Sequence, residues 1–294
     1  MVFIVLNQGI IVKALSGFYY VKWQDKIIEC RARGKLKKDN IKPVVGDKVE
    51  FGLISPTTGV IETIQERKNC LIRPSVANID QLCLTFSAID PLPDYLLMDR
   101  LTVLARKNSL EVTICITKID LIDKGFLDYI SQRFKDTGYT IIGISNKTLE
   151  GLDKLKEKLK GKITTLSGPS GAGKSSLINN INPQFKLAVA SVSEKTKRGK
   201  HTTTFCQLLE VMENSFVVDT PGFTSLELTD FDIYELDKYF PEFIPYLNCR
   251  FTSCLHQKEE GCNIKTAVEK GLINPERYNS YLALLEEIRE NSQE

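Results

Sequence analysis

The sequence predicts a multidomain chain: an N-terminal all-β barrel, a central α/β domain on a mostly parallel sheet, and a C-terminal, mostly helical segment. Three observations predict it. Short alternating apolar runs separated by turn residues fill residues 1–70. Strand-like and helix-like runs then alternate through 71–222, with a glycine-rich loop between one strand and one helix. Residues 223–294 show helical spacing around an irregular stretch that holds three cysteines and a histidine within 14 positions.

Five strands justify the barrel. They are read at 9–15, 18–23, 27–33, 47–51 and 60–64, with turns at Ser16-Gly17, Gln24-Asp25, Asp39-Asn40, Val45-Gly46-Asp47 and Thr58-Gly59. Five short strands in so few residues suit a closed barrel of the OB type. The central domain reads as strand 79–86, helix 95–107, strand 111–117, helix 127–137, strand 140–145, helix 149–159, strand 163–166, helix 175–181, and strands 205–209 and 215–219. Alternation of this kind places helices on both faces of a parallel sheet.

Composition excludes several classes. Hydrophobic residues make up 42% and charged residues 26% of 294, which rules out global disorder and permits a buried core. No apolar run approaches the roughly 20 residues of a membrane helix. The start, Met1-Val-Phe-Ile-Val-Leu6, has neither a basic n-region nor a small-residue cleavage site, so a cytoplasmic protein is expected. Its eight cysteines then read as thiols or metal ligands. Basic and acidic residues number 12 and 7 in 1–70, 20 and 16 in 71–222, and 7 and 14 in 223–294. A basic front and an acidic back fit a chain whose first parts face an anion, although ordinary solvated surface gives the same pattern.

Gly168-Pro-Ser-Gly-Ala-Gly-Lys174-Ser175 fits G-x-x-x-x-G-K-[ST] at every position, after an apolar strand and before a helix. Gly168, Gly171 and Gly173, with Ser170 and Ala172 between them, let backbone N–H groups turn inward around phosphate oxygens at the positive end of a helix that continues through Ser176. Lys174 is expected to reach the β- and γ-phosphates, and the Ser175 hydroxyl to ligate Mg²⁺. Asp219 of Val217-Val-Asp-Thr-Pro-Gly222 stands 45 residues after Lys174, at the end of an apolar strand. Its carboxylate can hold Mg²⁺ through water, and the Gly222 N–H can sense the γ-phosphate. Thr117-Lys-Ile-Asp120 follows another strand. Asp120 there can accept the N1–H and exocyclic N–H of guanine while Lys118 packs along the base, and adenine would meet the carboxylate with an acceptor. Taken alone, the same four residues read as a surface turn of mixed charge.

Cys249, Cys254, His256 and Cys262 bring three thiolates and one imidazole together. That donor set suits tetrahedral Zn²⁺, one per chain, with no position left for water, hence a structural site. The alternative is free thiols in a reducing compartment.

Together these segments resemble the signature elements of a GTPase in rotated order. Thr117–Asp120 and Ser145-Asn146-Lys147 come first as base-reading segments, and the phosphate loop, a switch and Asp219–Gly222 follow. In Ras-like GTPases the base-reading motif comes last. With the OB-like barrel, Gly199-Lys-His-Thr-Thr-Thr204 and the Cys/His cluster, nearly the whole chain resembles the RsgA (YjeQ/YloQ) family of circularly permuted GTPases. The resemblance implies hydrolysis of GTP to GDP and phosphate with Mg²⁺. It implies His201 as the catalytic residue of the switch, and a second hydroxyl on Mg²⁺ from Thr202 or Thr203, the family pattern leaning to Thr203. It also implies a late assembly factor that binds the small ribosomal subunit and its rRNA, is stimulated by the subunit, and works as a monomer away from membranes. The alternative for His201 is an exposed loop histidine facing RNA phosphate. The basic run Arg31, Arg33, Lys35, Lys37, Lys38 and Lys42 is expected to face RNA, with Tyr19, Tyr20 and Trp23 nearby as stacking residues or core.

Two positions depart from the family pattern. Thr117 stands where Asn is usual, which leaves guanine discrimination to Asp120. Phe223 stands where Ras-like enzymes carry Gln, so nothing there orients water and slow unstimulated turnover is expected. Two other readings fit less of the sequence: a permuted GTPase acting on another RNA (large-subunit rRNA or tRNA), and a non-catalytic RNA-binding module that senses GTP or GDP. A phosphate-loop kinase would leave Thr117–Asp120 without a role.

Overall fold

In the computed structural model, which describes residues 5–38, 42–71, 75–123, 125–185, 206–219 and 231–291, the period-two runs of the N-terminal stretch form five strands. These are β1 (Leu6–Leu15), β2 (Phe18–Trp23), β3 (Lys26–Ala32), β4 (Lys48–Leu53) and β5 (Thr58–Ile64). They close in the order β1-β2-β3-β5-β4 and back to β1, and only the β3–β5 pair is parallel. Closure removes the unpaired edges that a five-stranded sheet would expose.

Alternation decides which side chains fill the barrel. Ile11, Tyr19, Val21, Ile28, Cys30, Val49, Phe51 and Ile61 form its apolar cluster, with Trp23 packed against it. The ring of Trp23 meets Phe51 edge-on at 6.0 Å. Tyr19 and Trp23 therefore serve the barrel core. Phe18 and Tyr20 occupy the alternate positions, where cross-strand cations cover them. The Arg31 guanidinium lies 4.7 Å from the Phe18 ring centre, and the Lys13 ammonium 5.2 Å from that of Tyr20. The basic run starts in a strand. Arg31 lies in β3, and α1 (Gly34–Lys38) follows, tucking Leu36 into the core.

The chain divides into two compact units that interleave along the sequence. One contains the described residues of 1–81, 156–166 and 181–223, the other those of 82–155, 167–180 and 224–294. After the two-stranded ladder β6 (Cys70–Leu71) and β7 (Val76–Ala77), the second unit opens with β8 (Gln81–Ser87), α2 (Tyr95–Lys107), β9 (Glu111–Thr117), α3 (Gly125–Arg133) and β10 (Thr140–Ile144). Every residue of β8, and every residue of β9 after Glu111, is buried. That is the signature of strands covered on both faces. β10 pairs parallel to β9, with Ile144 opposite Thr117. α2 begins at Asp94, whose carboxylate accepts the Leu97 N–H at 2.9 Å, so the helix start expected at Tyr95 is capped.

α4 (Leu152–Leu159), β11 (Ile163–Ser167) and α5 (Lys174–Ile181) follow, then β12 (Gln207–Met212) and β13 (Ser215–Asp219). Within the first unit β13 runs parallel to β11 and antiparallel to β12, and β12 meets β1 where Gln207 pairs with Lys13.

The C-terminal segment, in the second unit, contributes tight turns at Leu236–Tyr239 and Pro241–Tyr246, then α6 (Asn263–Glu269) and α7 (Pro275–Asn291). Phe240, Phe243 and Tyr281 stack together with ring centres 5.0–5.4 Å apart. Beside them lies a buried charge network. Asp99 of α2 accepts from Arg133 Nη2 and Arg277 Nη1, each at 2.6 Å, and Glu242 accepts from Arg277 Nε at 2.7 Å. Arg133 also bonds Glu276. Arg277, Asp99 and Glu242 side chains are 0–3% exposed, so each charge has exchanged water for its partner.

Candidate nucleotide and metal sites

Parallel strands place the chemistry at their carboxyl ends. Because Ile144 lies opposite Thr117, the turn that starts at Ser145 sits beside the segment 117–120. Thr117 is fully buried, and its hydroxyl donates to the Ala172 carbonyl at 2.7 Å. Strand β9 is thereby bonded to the glycine-rich loop. Lys118 adopts a left-handed backbone, and its ammonium bonds the Asp90 carbonyl. Asp120 lies in the short turn Ile119–Leu121, exposed, and its carboxylate makes no hydrogen bond among the described residues.

Ser145 is buried and spends its hydroxyl on the turn, accepting the N–H groups of Lys147 at 3.2 Å and Thr148 at 3.0 Å. The Leu149 N–H bonds the Ser145 carbonyl at 2.9 Å. The Asn146 N–H is left without an acceptor among the described residues.

The phosphate loop runs from Gly168 to Ser175 and opens into α5. Gly168 has φ +142°, and a Cβ there would fall 1.9 Å from the Thr85 carbonyl oxygen, so only glycine fits. Gly173 has φ +91°, and its Cβ would lie 2.9 Å from Asn146 Nδ2. Ala172 is buried, while Ser170, Gly171, Ser175 and Ser176 are exposed. The Lys174 ammonium bonds the carbonyls of Gly168 at 2.6 Å and Pro169 at 2.8 Å. It thus stands inside the turn of the loop, and burial lowers its pKa from the ordinary lysine value. Asp219 closes β13. His201, Thr203 and Gly222 lie outside the described residues, as does Phe223.

Cys249, Cys254, His256 and Cys262 present ligand atoms that all lie within 4.8 Å of one another. The Cys249 and Cys262 sulfurs are 3.9 Å apart, and His256 Nδ1 is 3.5 Å and 3.3 Å from them. Tetrahedral ligands about 2.3 Å from one ion stand about 3.7 Å apart, so these four donors fit a single metal. Cys262 caps α6, and the Asn263 N–H points at the Cys249 sulfur from 3.3 Å. Burial opposes ionisation of Cys249, but the N–H groups of Asn263 and Ile264, together with His256 and Cys254, hold the thiol below its ordinary pKa. Two side chains of α7 hold the turn: the Tyr278 hydroxyl donates to the His256 carbonyl at 2.6 Å, and that of Tyr281 to the Leu255 carbonyl at 3.2 Å.

Two residues of these sites carry no sequence signal. Asp237 Oδ2 lies 3.1 Å from His256 Nε2. A carboxylate there requires the proton on Nε2, which leaves the Nδ1 lone pair facing the sulfurs. Asn180 of α5 donates to Asn146. An aspartate 19 positions from the histidine and one of two adjacent helix asparagines look like any surface polar residue in the sequence.

Comparison with known proteins gives the same picture over nearly the whole chain. Residues 64–229 match the RsgA GTPase family and residues 8–61 the RsgA N-terminal domain. The chain belongs to the RsgA GTPase family. Among RsgA relatives, the small ribosomal subunit biogenesis GTPase RsgA of Clostridium acetobutylicum is 45% identical over 282 residues, 96% of this chain and 97% of that protein. The protein of that name from Caldanaerobacter subterraneus subsp. tengcongensis is also 45% identical, over 96% of each. Of solved RsgA-type structures, YjeQ from Thermotoga maritima superposes with TM-score 0.84 at 39% identity, covering 97% of this chain and 99% of that one. YloQ, described as a circularly permuted GTPase, gives 0.81 at 37% identity, covering 98% and 96%. As an RsgA GTPase the chain is a GTP hydrolase. Its strands follow the permuted order, with β9 and β10 preceding the phosphate loop. Among the described residues no helix is long and apolar enough to cross a membrane.

Proposed function

We propose that this GTPase is an assembly factor of the small ribosomal subunit, acting in the cytoplasm as a monomer and binding rRNA. The observation that carries the reading is one nucleotide-shaped constellation: Thr117–Asp120, the turn at Ser145 and the loop Gly168–Ser176, joined by side-chain bonds in the permuted order. Relatives that bear the ribosomal name align over 96% of the chain, which supports the choice of partner. The chain is divided by function into a barrel at 1–70, a GTPase domain at 71–222 and a metal-stapled helical domain at 223–294.

In this reading Gly168, Ser170, Gly171, Ala172, Gly173 and Ser176 present the loop to the phosphates, and Lys174 neutralises their charge. The Ser175 hydroxyl is exposed and without a partner among the described residues, so it is free to hold Mg²⁺. Thr203 and Asp219 would complete that site, and Mg²⁺ held there would offset phosphate charge. Gly222 senses the γ-phosphate. Asp120 takes the two N–H groups of guanine, Lys118 covers the ring, and the free N–H of Asn146 offers a donor to the 6-oxo group. His201 orients or deprotonates the attacking water, the task Phe223 cannot perform. The metal on Cys249, Cys254, His256 and Cys262 is zinc, and it fixes the turn structurally because four protein donors leave no open position.

The test is GTP turnover by the full chain alone, with small subunits and with large subunits. Stimulation by small subunits only is the expected result, and His201→Ala then lowers the stimulated rate at least about 100-fold. Equal stimulation by large subunits would move the partner to another RNA. A rate unchanged by His201→Ala would remove that residue from the chemistry.

A further inference from the structure

The side chains between the base-reading turn and the phosphate loop converge on one residue. Asn180 lies in the last turn of α5, the helix that begins in the phosphate loop at Lys174. Its Nδ2 donates to the Asn146 backbone carbonyl at 3.1 Å and to Asn146 Oδ1 at 3.0 Å. The Asn146 amide in turn lies against Gly173, where a Cβ would fall 2.9 Å from Nδ2. Asn146 is thus gripped at backbone and side chain by the helix that carries the phosphate loop.

That grip has a chemical consequence. The other N–H groups of the turn are taken: Lys147 and Thr148 bond the Ser145 hydroxyl, and Leu149 bonds the Ser145 carbonyl. The Asn146 N–H alone has no acceptor among the described residues. An N–H without an acceptor, on a half-buried residue, favours an arriving acceptor and rejects a donor. A 6-oxo purine brings an acceptor, and a 6-amino purine brings a donor.

We propose that Asn180 is a positioning residue for purine discrimination: its amide holds Asn146 so that the Asn146 N–H meets the 6-oxo group. The placement of that N–H is thus tied to α5, while the phosphate contacts of the loop do not depend on Asn180. The inference rests on the assignment of 117–120 and 145–147 as the base site.

The experiment compares the full chain with Asn180→Asp, which keeps the shape but removes the donor, and with Asn180→Leu, which removes all polarity. Dissociation constants are measured for GDP, ADP and inorganic tripolyphosphate. For both variants GDP affinity is expected to fall about tenfold, with tripolyphosphate affinity unchanged and the GDP-to-ADP preference narrowed by about the same factor. Equal losses for GDP and tripolyphosphate would show that Asn180 merely supports α5 and would overturn the proposal, as would unchanged GDP affinity in both variants. Asp120→Asn separates failure of the base-site reading. It is expected to lose GDP and to gain xanthosine diphosphate, whose 2-oxo group accepts from the new amide. Wild-type GDP affinity in Asp120→Asn would overturn the base-site assignment, whatever Asn180 does.

Discussion

The barrel at 5–64 and the segment at 231–291 bury their interiors with different chemistry. The barrel cluster is built from Ile11, Val21, Ile28, Val49, Phe51 and Ile61 and holds no charged side chain. The C-terminal segment packs Phe240, Phe243 and Tyr281 beside Arg277 and Glu242, and both charged side chains are as buried as the rings. An apolar interior loses stability in proportion to the atoms removed. An interior of paired charges tolerates no half-measure, because removing one partner strands the other in a low-dielectric site. The two regions also differ in regularity. Five strands satisfy the barrel backbone, whereas tight turns, two helices and four metal-type donors organise the segment.

The largest effect expected is at Asp99. Asp99→Ala leaves two guanidiniums, Arg133 and Arg277, both at most 2% exposed, without their shared acceptor. Denaturant unfolding is expected to show a loss of about 3–5 kcal/mol. The half-exposed Lys22–Glu210 pair at 2.5 Å on the barrel side is the comparison, and Glu210→Ala is expected to cost about 1 kcal/mol or less. Similar losses at both positions would break the contrast.

Tyr139 comes next. Burial lifts its pKa to about 12, from an ordinary value near 10. The folded state therefore keeps the proton between those values while the unfolded state sheds it. That contribution is complete below about pH 10 and is lost as pH rises toward about 12, amounting to about 2–3 kcal/mol. Melting curves of Tyr139→Phe across pH 9–12 are expected to fall less steeply than those of the wild type. Parallel curves would place Tyr139 in water instead.

A binding measurement sharpens the contrast at the metal cluster. Asp237→Asn replaces the carboxylate that fixes the proton on His256 Nε2. Zinc affinity, read by competition with a chromophoric chelator, is expected to drop about 10- to 100-fold with the four ligands intact. Metal content and melting temperature provide readouts independent of activity. Unchanged affinity would make Asp237 a bystander.

Legibility in the sequence follows the same divide. β2, α2, β9 and β13 occupy the spans expected from periodicity, because alternation and helical spacing are local properties of the chain. Tyr19 and Trp23 illustrate the limit: composition makes them candidates for stacking on RNA, but register sends them inward and leaves Phe18 and Tyr20 on the alternate positions. The short ladder of β6 and β7 goes unread, since two residues make no pattern.

The sequence by itself determined the barrel, the alternating α/β order, the phosphate loop and the grouping of Cys249, Cys254, His256 and Cys262, because each is written in neighbouring residues. Only the tertiary structure decided that Asp99 joins Arg133, 34 positions away, to Arg277, 178 positions away. It likewise decided that Asp237 faces His256, and that Asn180 holds Asn146. Such pairs form when elements distant in sequence pack together, and their energies depend on burial and mutual geometry, which no local periodicity encodes.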